Sequence, residues 1–280
     1  MSLTSLLQTK EVRGRFREEF EKPGMEATPS LVAPPISGRP SQIGTAFDYL
    51  LRFVLRRVNA DVVRGREWTA EAAIRLLSGS DKERAEQVVS DAKAARDRFV
   101  EGGDLTDEVL AATLQLARLD LIVRTGAETL AELGGLDAGT EDDRDDLRQL
   151  YSAIPTDRFR AREHCLLNPT FGKASALVGG ADADLLIDNL LVDIKTVKDA
   201  SFSREMFNQL LGYYTLHIIG GIGALDPKPT IRRIGVYFSR HAHLHVISLD
   251  EVVDRSTYPD FVEWFATYAL RKRAMPERES

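Results

Sequence analysis

The sequence predicts a mixed α/β protein: a small mixed sheet flanked by helices, with a large all-helical insertion. Three observations predict it. Strand-like runs crowd into the stretch after Pro155, helical periodicity dominates residues 66–154, and a strongly apolar helix beginning at Ser41 precedes both. Residues 1–40 read as an N-terminal amphipathic helix, over 1–22, followed by a linker rich in Pro, Ser and Gly from Lys22 to Pro40. Residues 41–60 form the first core helix, where Ile43, Phe47, Leu50, Leu51, Val54 and Leu55 recur at helical spacing. Residues 61–155 form the insertion, with helices expected at Trp68–Leu77, Asp81–Val100, Thr106–Arg124 and Glu141–Ile154. Glycines at 102–103, 126 and 134–135 break them, and Thr140 caps the last. Residues 156–256 hold the sheet, with strands expected at Ala176–Val178, Ala183–Asp188, Leu190–Val197, Ile234–Phe238 and Leu244–Leu249. A helix from Arg204 to Ile219 interrupts them, and residues 257–280 supply a last amphipathic helix and a charged tail.

Composition sets bounds. At 280 residues the chain forms one large domain or two smaller ones and buries enough surface to need no staples. A hydrophobic content of 43% and a charged content of 29% are those of a globular protein. Cys165 is the only cysteine, which excludes disulfide frameworks, cysteine-rich zinc sites and cysteine-held iron–sulfur clusters within one chain. No long apolar run suggests a membrane span, and charges interrupt the N-terminal stretch where a signal peptide needs its apolar core, so a cytoplasmic protein is expected. The net charge of −6 argues against a surface coated in nucleic-acid contacts and leaves room for a local basic groove.

The chemistry concentrates in Gly180–Thr196, GADADLLIDNLLVDIKT. Two apolar runs flank Asp188-Asn189, a turn-forming pair, which is the pattern of a tight β-hairpin. A symmetric fold-back there sets Ile187 opposite Leu190 and Asp184 opposite Asp193, with their side chains on one face. Lys195 lies two residues beyond Asp193 and shares that face. Opposed carboxylates repel unless a cation lies between them, and a hard divalent cation is the simplest such ion. Asp182 falls on the same face, opposite Lys195, either as a second ligand or as the ion-pair partner of that lysine. On the following helix Gln209 and Tyr213 stand four residues apart and stack one above the other.

Together these residues resemble the PD-(D/E)XK nuclease superfamily, in particular its RecB-like branch. The split Asp and DIK triad followed by a helix bearing Gln-x-x-x-Tyr carries the resemblance, over about Leu167 to Phe238. It implies a restriction-endonuclease-like sheet and a metal-dependent nuclease hydrolysing DNA with Mg²⁺ or Mn²⁺. On that likeness Asp184 and Asp193 are the acidic metal ligands and the Ile194 carbonyl a further one. Lys195 assists the attacking water, and Gln209 and Tyr213 hold the substrate backbone or orient the active-site groups. Ala183 stands where the family often has proline. The family commonly places another acid on its first core helix. Asp48, in GTAFDYLLRF, is the candidate for this further metal ligand, with Glu163 the runner-up. DNA is the implied partner, with a helicase, ATPase or other protein, or a second copy of the chain, as further ones. The competing expectation is a non-catalytic binding or assembly module that keeps the fold and works with a partner protein in a defence or DNA-processing complex.

Other motifs read as structural. His241, His243 and His245 alternate, but Ser239–His243 reads as a solvated turn. Gly172-Lys-Ala-Ser175 lacks the earlier glycine of a phosphate-binding loop. The acidic run Glu141–Asp146 opens a helix, where the dipole favours negative charge. Arg52, Arg56, Arg57, Arg158, Arg160, Arg162, Arg232 and Arg233 are candidate phosphate contacts.

Overall fold

The computed structural model describes residues 2–223 and 225–274. Six strands form one mixed sheet in chain order: β1 (Val63–Gly65), β2 (Cys165–Leu167), β3 (Leu185–Ile187), β4 (Leu190–Lys195), β5 (Arg233–Phe238) and β6 (His243–Ser248). β1 and β2 are parallel, as are β4 and β5; the other neighbours are antiparallel. The helices are α1 (Leu3–Leu7), α2 (Lys10–Glu19), α3 (Pro40–Val58), α4 (Thr69–Ile74), α5 (Gly79–Val100), α6 (Asp107–Thr125), α7 (Glu141–Ser152), α8 (Lys173–Leu177), α9 (Arg204–Gly220), α10 (Leu249–Val252) and α11 (Tyr258–Ala274). Among the described residues no helix is long and apolar enough to cross a membrane.

The sheet divides two cores. Leu185, Ile187, Leu190 and Val192 pack on one face beneath α3 and the helices α4 to α7. Leu186, Leu191, Ile234, Val236 and Phe238 pack on the other, against α1, α2, α9 and α11. The central strands are apolar on both sides because both sides are covered. α3 starts with Pro40 at its first position, which suits a helix start, and is buried nearly all round because it lies between the sheet and the helical layer. Parallel strands need a long crossover, and α4 to α7 supply it between β1 and β2, while α9 joins β4 to β5. Gly220, ending α9, is needed for a close approach: a side chain there would collide with the Phe171 carbonyl.

The structure departs from the sequence reading in four places. Ala176–Val178 is not a strand. Those residues belong to α8 and its cap, where the Ser175 hydroxyl accepts from Phe171 N and donates to Ala181 O, closing a local turn. β1 and β2 were not expected; three residues each is too short for a period to show. The N-terminal segment is two helices, broken at Gln8-Thr9. Ser239, Arg240 and His241 are buried rather than a solvated turn.

Arg240 explains that burial. Its guanidinium meets Asp146 of α7 in a two-point pair, at 2.6 and 3.0 Å, and both residues are about 1% exposed. Asp146 also accepts from the main-chain N–H groups of Ile36 and Ser37, and Arg240 donates to Ala33 O. One ion pair thus ties the sheet, the crossover helices and the linker together. Asp143, one turn earlier, closes a capping box with Thr140 and takes further hydrogen bonds from Ser37 and Arg39. Burial raises the Asp143 carboxyl, but the bonds from Ser37, Thr140 and Arg39 outweigh it and hold the group at about 2. A depressed acid contributes stability that is complete above its unfolded value near 4 and lost as pH falls toward 2. Denaturant melts at pH 5 and pH 3 check this: Asp143→Asn is less stable than the parent at pH 5 and loses less on going to pH 3.

Cys165 lies wholly buried in β2, beside the Asn59 amide at 3.7 Å. Burial pushes its thiol up to about 12.

Candidate functional site

The hairpin has the expected register. Leu185 pairs with Val192, Leu186 with Leu191 and Ile187 with Leu190, so Asp184 and Asp193 face each other one step beyond the ladder. Asp188 takes a positive φ of 50° at the turn. Its carboxylate accepts from the main-chain N–H groups of Arg162, Glu163 and His164, at 2.8 to 3.1 Å, pinning the turn to the segment before β2. Glu163 therefore sits at the turn, about 13 Å of extended chain from Asp184. That places it at the wrong end of the sheet for the third acid.

Asp184 Oδ2 accepts from Ile194 N at 2.7 Å. In an antiparallel strand the N–H and C=O of one residue point to the same neighbour. The Ile194 carbonyl therefore also faces Asp184, past the last ladder pair. Asp193 is 2% exposed and shares the face of Leu191, toward α9. Lys195 Nζ lies 2.7 Å from Asp193 Oδ2, yet that oxygen has no well-angled hydrogen bond, so the contact is chiefly coulombic. Burial, then the neighbouring Asp184, push the Asp193 carboxyl up to about 7 against the pull of Lys195. Burial also raises Asp184, against the Ile194 N–H, Lys195 and Arg52.

Gln209 and Tyr213 come together as their spacing predicted, the amide donating to the phenol at 2.8 Å. Tyr213 stacks on Phe171, with centroids 5.5 Å apart. Burial raises its hydroxyl well above the ordinary value, and the charges of Asp193 and Asp184 add to this. α9 is fixed for this by its Ser203 cap and by Leu3 and Leu7 of α1, which press on Gly212.

Asp48 pairs with Arg52, one turn along α3. Arg52 is 8% exposed and lies within the fields of Asp184 and Asp182. Asp182 is exposed, bridges to Thr170 and lies outside the β3 ladder; the ion-pair partner of Lys195 is Asp193. The strand ends at Leu185 because Ala183 N turns away to Pro169 O. His243 and His245 stack in β6 at 6.5 Å, with His241 in the preceding turn.

Two cavities open near this end of the hairpin, one at Asp182 and one at Lys195. One, of about 220 Å³, is lined by Asp182, Arg52, Arg56 and Arg66. The other, of about 200 Å³, is lined by Lys195, Gln209 and Asn208 and walled by Thr4 and Leu7 of α1. Sequence reasoning missed Asn208, the wall formed by α1, and the burial of Arg52 beside the acids. An arginine four residues after an aspartate in an apolar helix was the available signal for the last.

Among the described residues no three His, Cys, Asp or Glu side chains converge closely enough to hold a metal ion by themselves. The donors at hand are two opposed carboxylates and the Ile194 carbonyl, with Asp193 Oδ2 and Asp48 Oδ1 buried and lacking hydrogen-bond partners. All are hard oxygen donors, and they fit a cation such as Mg²⁺, which keeps several of its own waters. Comparison of the chain with family models, curated proteins and solved structures finds no match.

Proposed function

We propose that this protein is a metal-dependent nuclease that hydrolyses phosphodiester bonds of DNA. The observation that carries the reading is the placement of half-buried Asp184 beside buried Asp193, with Lys195 on the same face, at the open end of the hairpin. The element order α3-β2-β3-β4-α9-β5, with α3 and α9 on opposite faces, supports the likeness to the restriction-endonuclease-like fold and the RecB-like branch. A bound Mg²⁺ or Mn²⁺ supplies charge neutralisation at the scissile phosphate and eases deprotonation of the attacking water. Asp184, Asp193 and the Ile194 carbonyl hold the ion, and Asp48 is the further acid. The Lys195 ammonium offsets the charge that builds on the phosphate and orients the water. Gln209 and Tyr213 present donors from α9 to the substrate backbone.

The test is cleavage of labelled DNA by the purified protein with Mg²⁺ or Mn²⁺. Lys195→Ala loses at least ~10²-fold, the scale of one lost transition-state donor. Equal rates for parent and variant reject the assignment. The second reading, a nuclease-fold binding module working with another protein, is favoured by one observation: Lys195 and Arg52 already neutralise Asp193 and Asp48. Calorimetry separates the two, since the module binds no divalent ion.

A further inference from the structure

The cleft on the Asp182 side is a basic exception in an acidic chain. The net charge is −6, yet the lining collects Arg52, Arg56, Arg66 and Arg75 against Glu67 and Asp182. Nearby ion pairs join Arg52 to Asp48, Arg75 to Glu67 and Arg96 to Asp97. They leave Arg56 and Arg66 without a carboxylate partner among the described residues. Arg56 lies across the Gly65 main chain, where any side chain would collide with its guanidinium. Arg52 forms the floor, more than nine-tenths buried, and its Nε has no hydrogen-bond partner. A buried guanidinium with an unused donor, below a second without a partner, is a built site for an anion. Its planar forks match phosphate.

The cleft opens beside Asp182, about 6.6 Å of extended chain from Asp184. An anion here is therefore a near neighbour of anything held by the carboxylates. Trp68 walls the cleft but does not offer its face. It is 5% exposed, with Arg96 over its ring and Phe53 against it. The cleft reads charge and not bases, and about 220 Å³ admits a sugar–phosphate segment of one strand.

We infer that this cleft seats a phosphate of one DNA strand, next along the strand from the bond held at Asp184 and Asp193. The inference rests on the nuclease reading and adds a second phosphate contact to its substrate. Arg56 and Arg66 contact the phosphate, and Arg52 positions it from below. Binding is insensitive to base sequence and sensitive to salt.

The test is fluorescence anisotropy of a labelled 12-nucleotide single strand and of the same sequence as a duplex. It is run in EDTA so that no cleavage enters. Arg66→Gln, at an exposed position, and Arg56→Gln each weaken the single strand about tenfold, the scale of a charged hydrogen bond. Each also lowers the slope of log K against log salt by about 0.7. Arg271→Gln, exposed on α11 across the sheet from the cleft, changes neither. Unchanged affinity in both cleft variants, or an equal effect from Arg271→Gln, overturns the inference. Because the readout is binding without metal, a protein that binds as described but never cleaves sinks the nuclease reading instead.

Discussion

On the proposed nuclease reading, Asp193→Asn melts higher than the parent protein in EDTA at pH 8 and cleaves DNA at least ~10²-fold more slowly. The two halves of this outcome share one cause. Asp193 is 2% exposed and faces Asp184, and its carboxyl is pushed up to about 7, first by burial and then by that neighbour. An unfolded aspartate ionises near 4. Between those values the folded protein holds a proton that the unfolded chain has released, so stability falls as pH rises from about 4 to about 7. Above that, the metal-free protein carries two adjacent, repelling carboxylates, offset in part by Lys195, Arg52 and the Ile194 N–H. Asparagine keeps the shape and removes the repulsion. Each kcal/mol recovered raises the melting temperature by roughly 2–4 °C in a chain of this size. If the carboxylates hold the proposed ion, Mg²⁺ inverts the ranking, because it then stabilises the parent by mass action and has no such hold on the variant. Melts at pH 5.5 and pH 8, with EDTA or Mg²⁺, read all of this. A variant that melts below its parent in EDTA at pH 8, or gains as much from Mg²⁺, contradicts the arrangement.

The second large effect lies far from the chemistry. Asp146→Ala leaves Arg240 charged, about 1% exposed and without its carboxylate, and strands the Ile36 and Ser37 N–H groups. Breaking a buried pair on one side costs about 3–5 kcal/mol. At that cost the melting temperature falls by ~10 °C or more. Replacing both partners, Asp146→Leu with Arg240→Met, removes the uncompensated charge and is far milder than the single change. If thermal melts show the single and double variants equally damaged, the loss comes from the geometry of the linker and not from the stranded charge.

The hairpin and the glutamine–tyrosine helix were legible because their determinants are local. Asp188-Asn189 fixes the turn, a period of two fixes the faces, and a spacing of four fixes the stack. β1 and β2 were not legible, since Val63–Gly65 and Cys165–Leu167 are strands only because each lies beside the other. Ala176–Val178 misled for the related reason that a short apolar run carries no period. The acidic run Glu141–Asp146 was read as a helix start, which holds for Thr140 and Asp143. Nothing nearby in the chain announces that Asp146 meets an arginine 94 residues away. Asp182 was placed opposite Lys195 by extending the ladder, and the ladder ends sooner, where Ala183 turns to Pro169.

Cys165 offers a practical opening. It is sealed inside β2 with its thiol held at about 12, so it stays silent toward maleimide dyes near neutral pH. Thr4→Cys would then be the one taggable position, on the wall of the chamber that Lys195 shares with Gln209. On the proposed function, a dye there turns the arrival of an oligonucleotide into a brightness change, read in real time on an otherwise intact molecule.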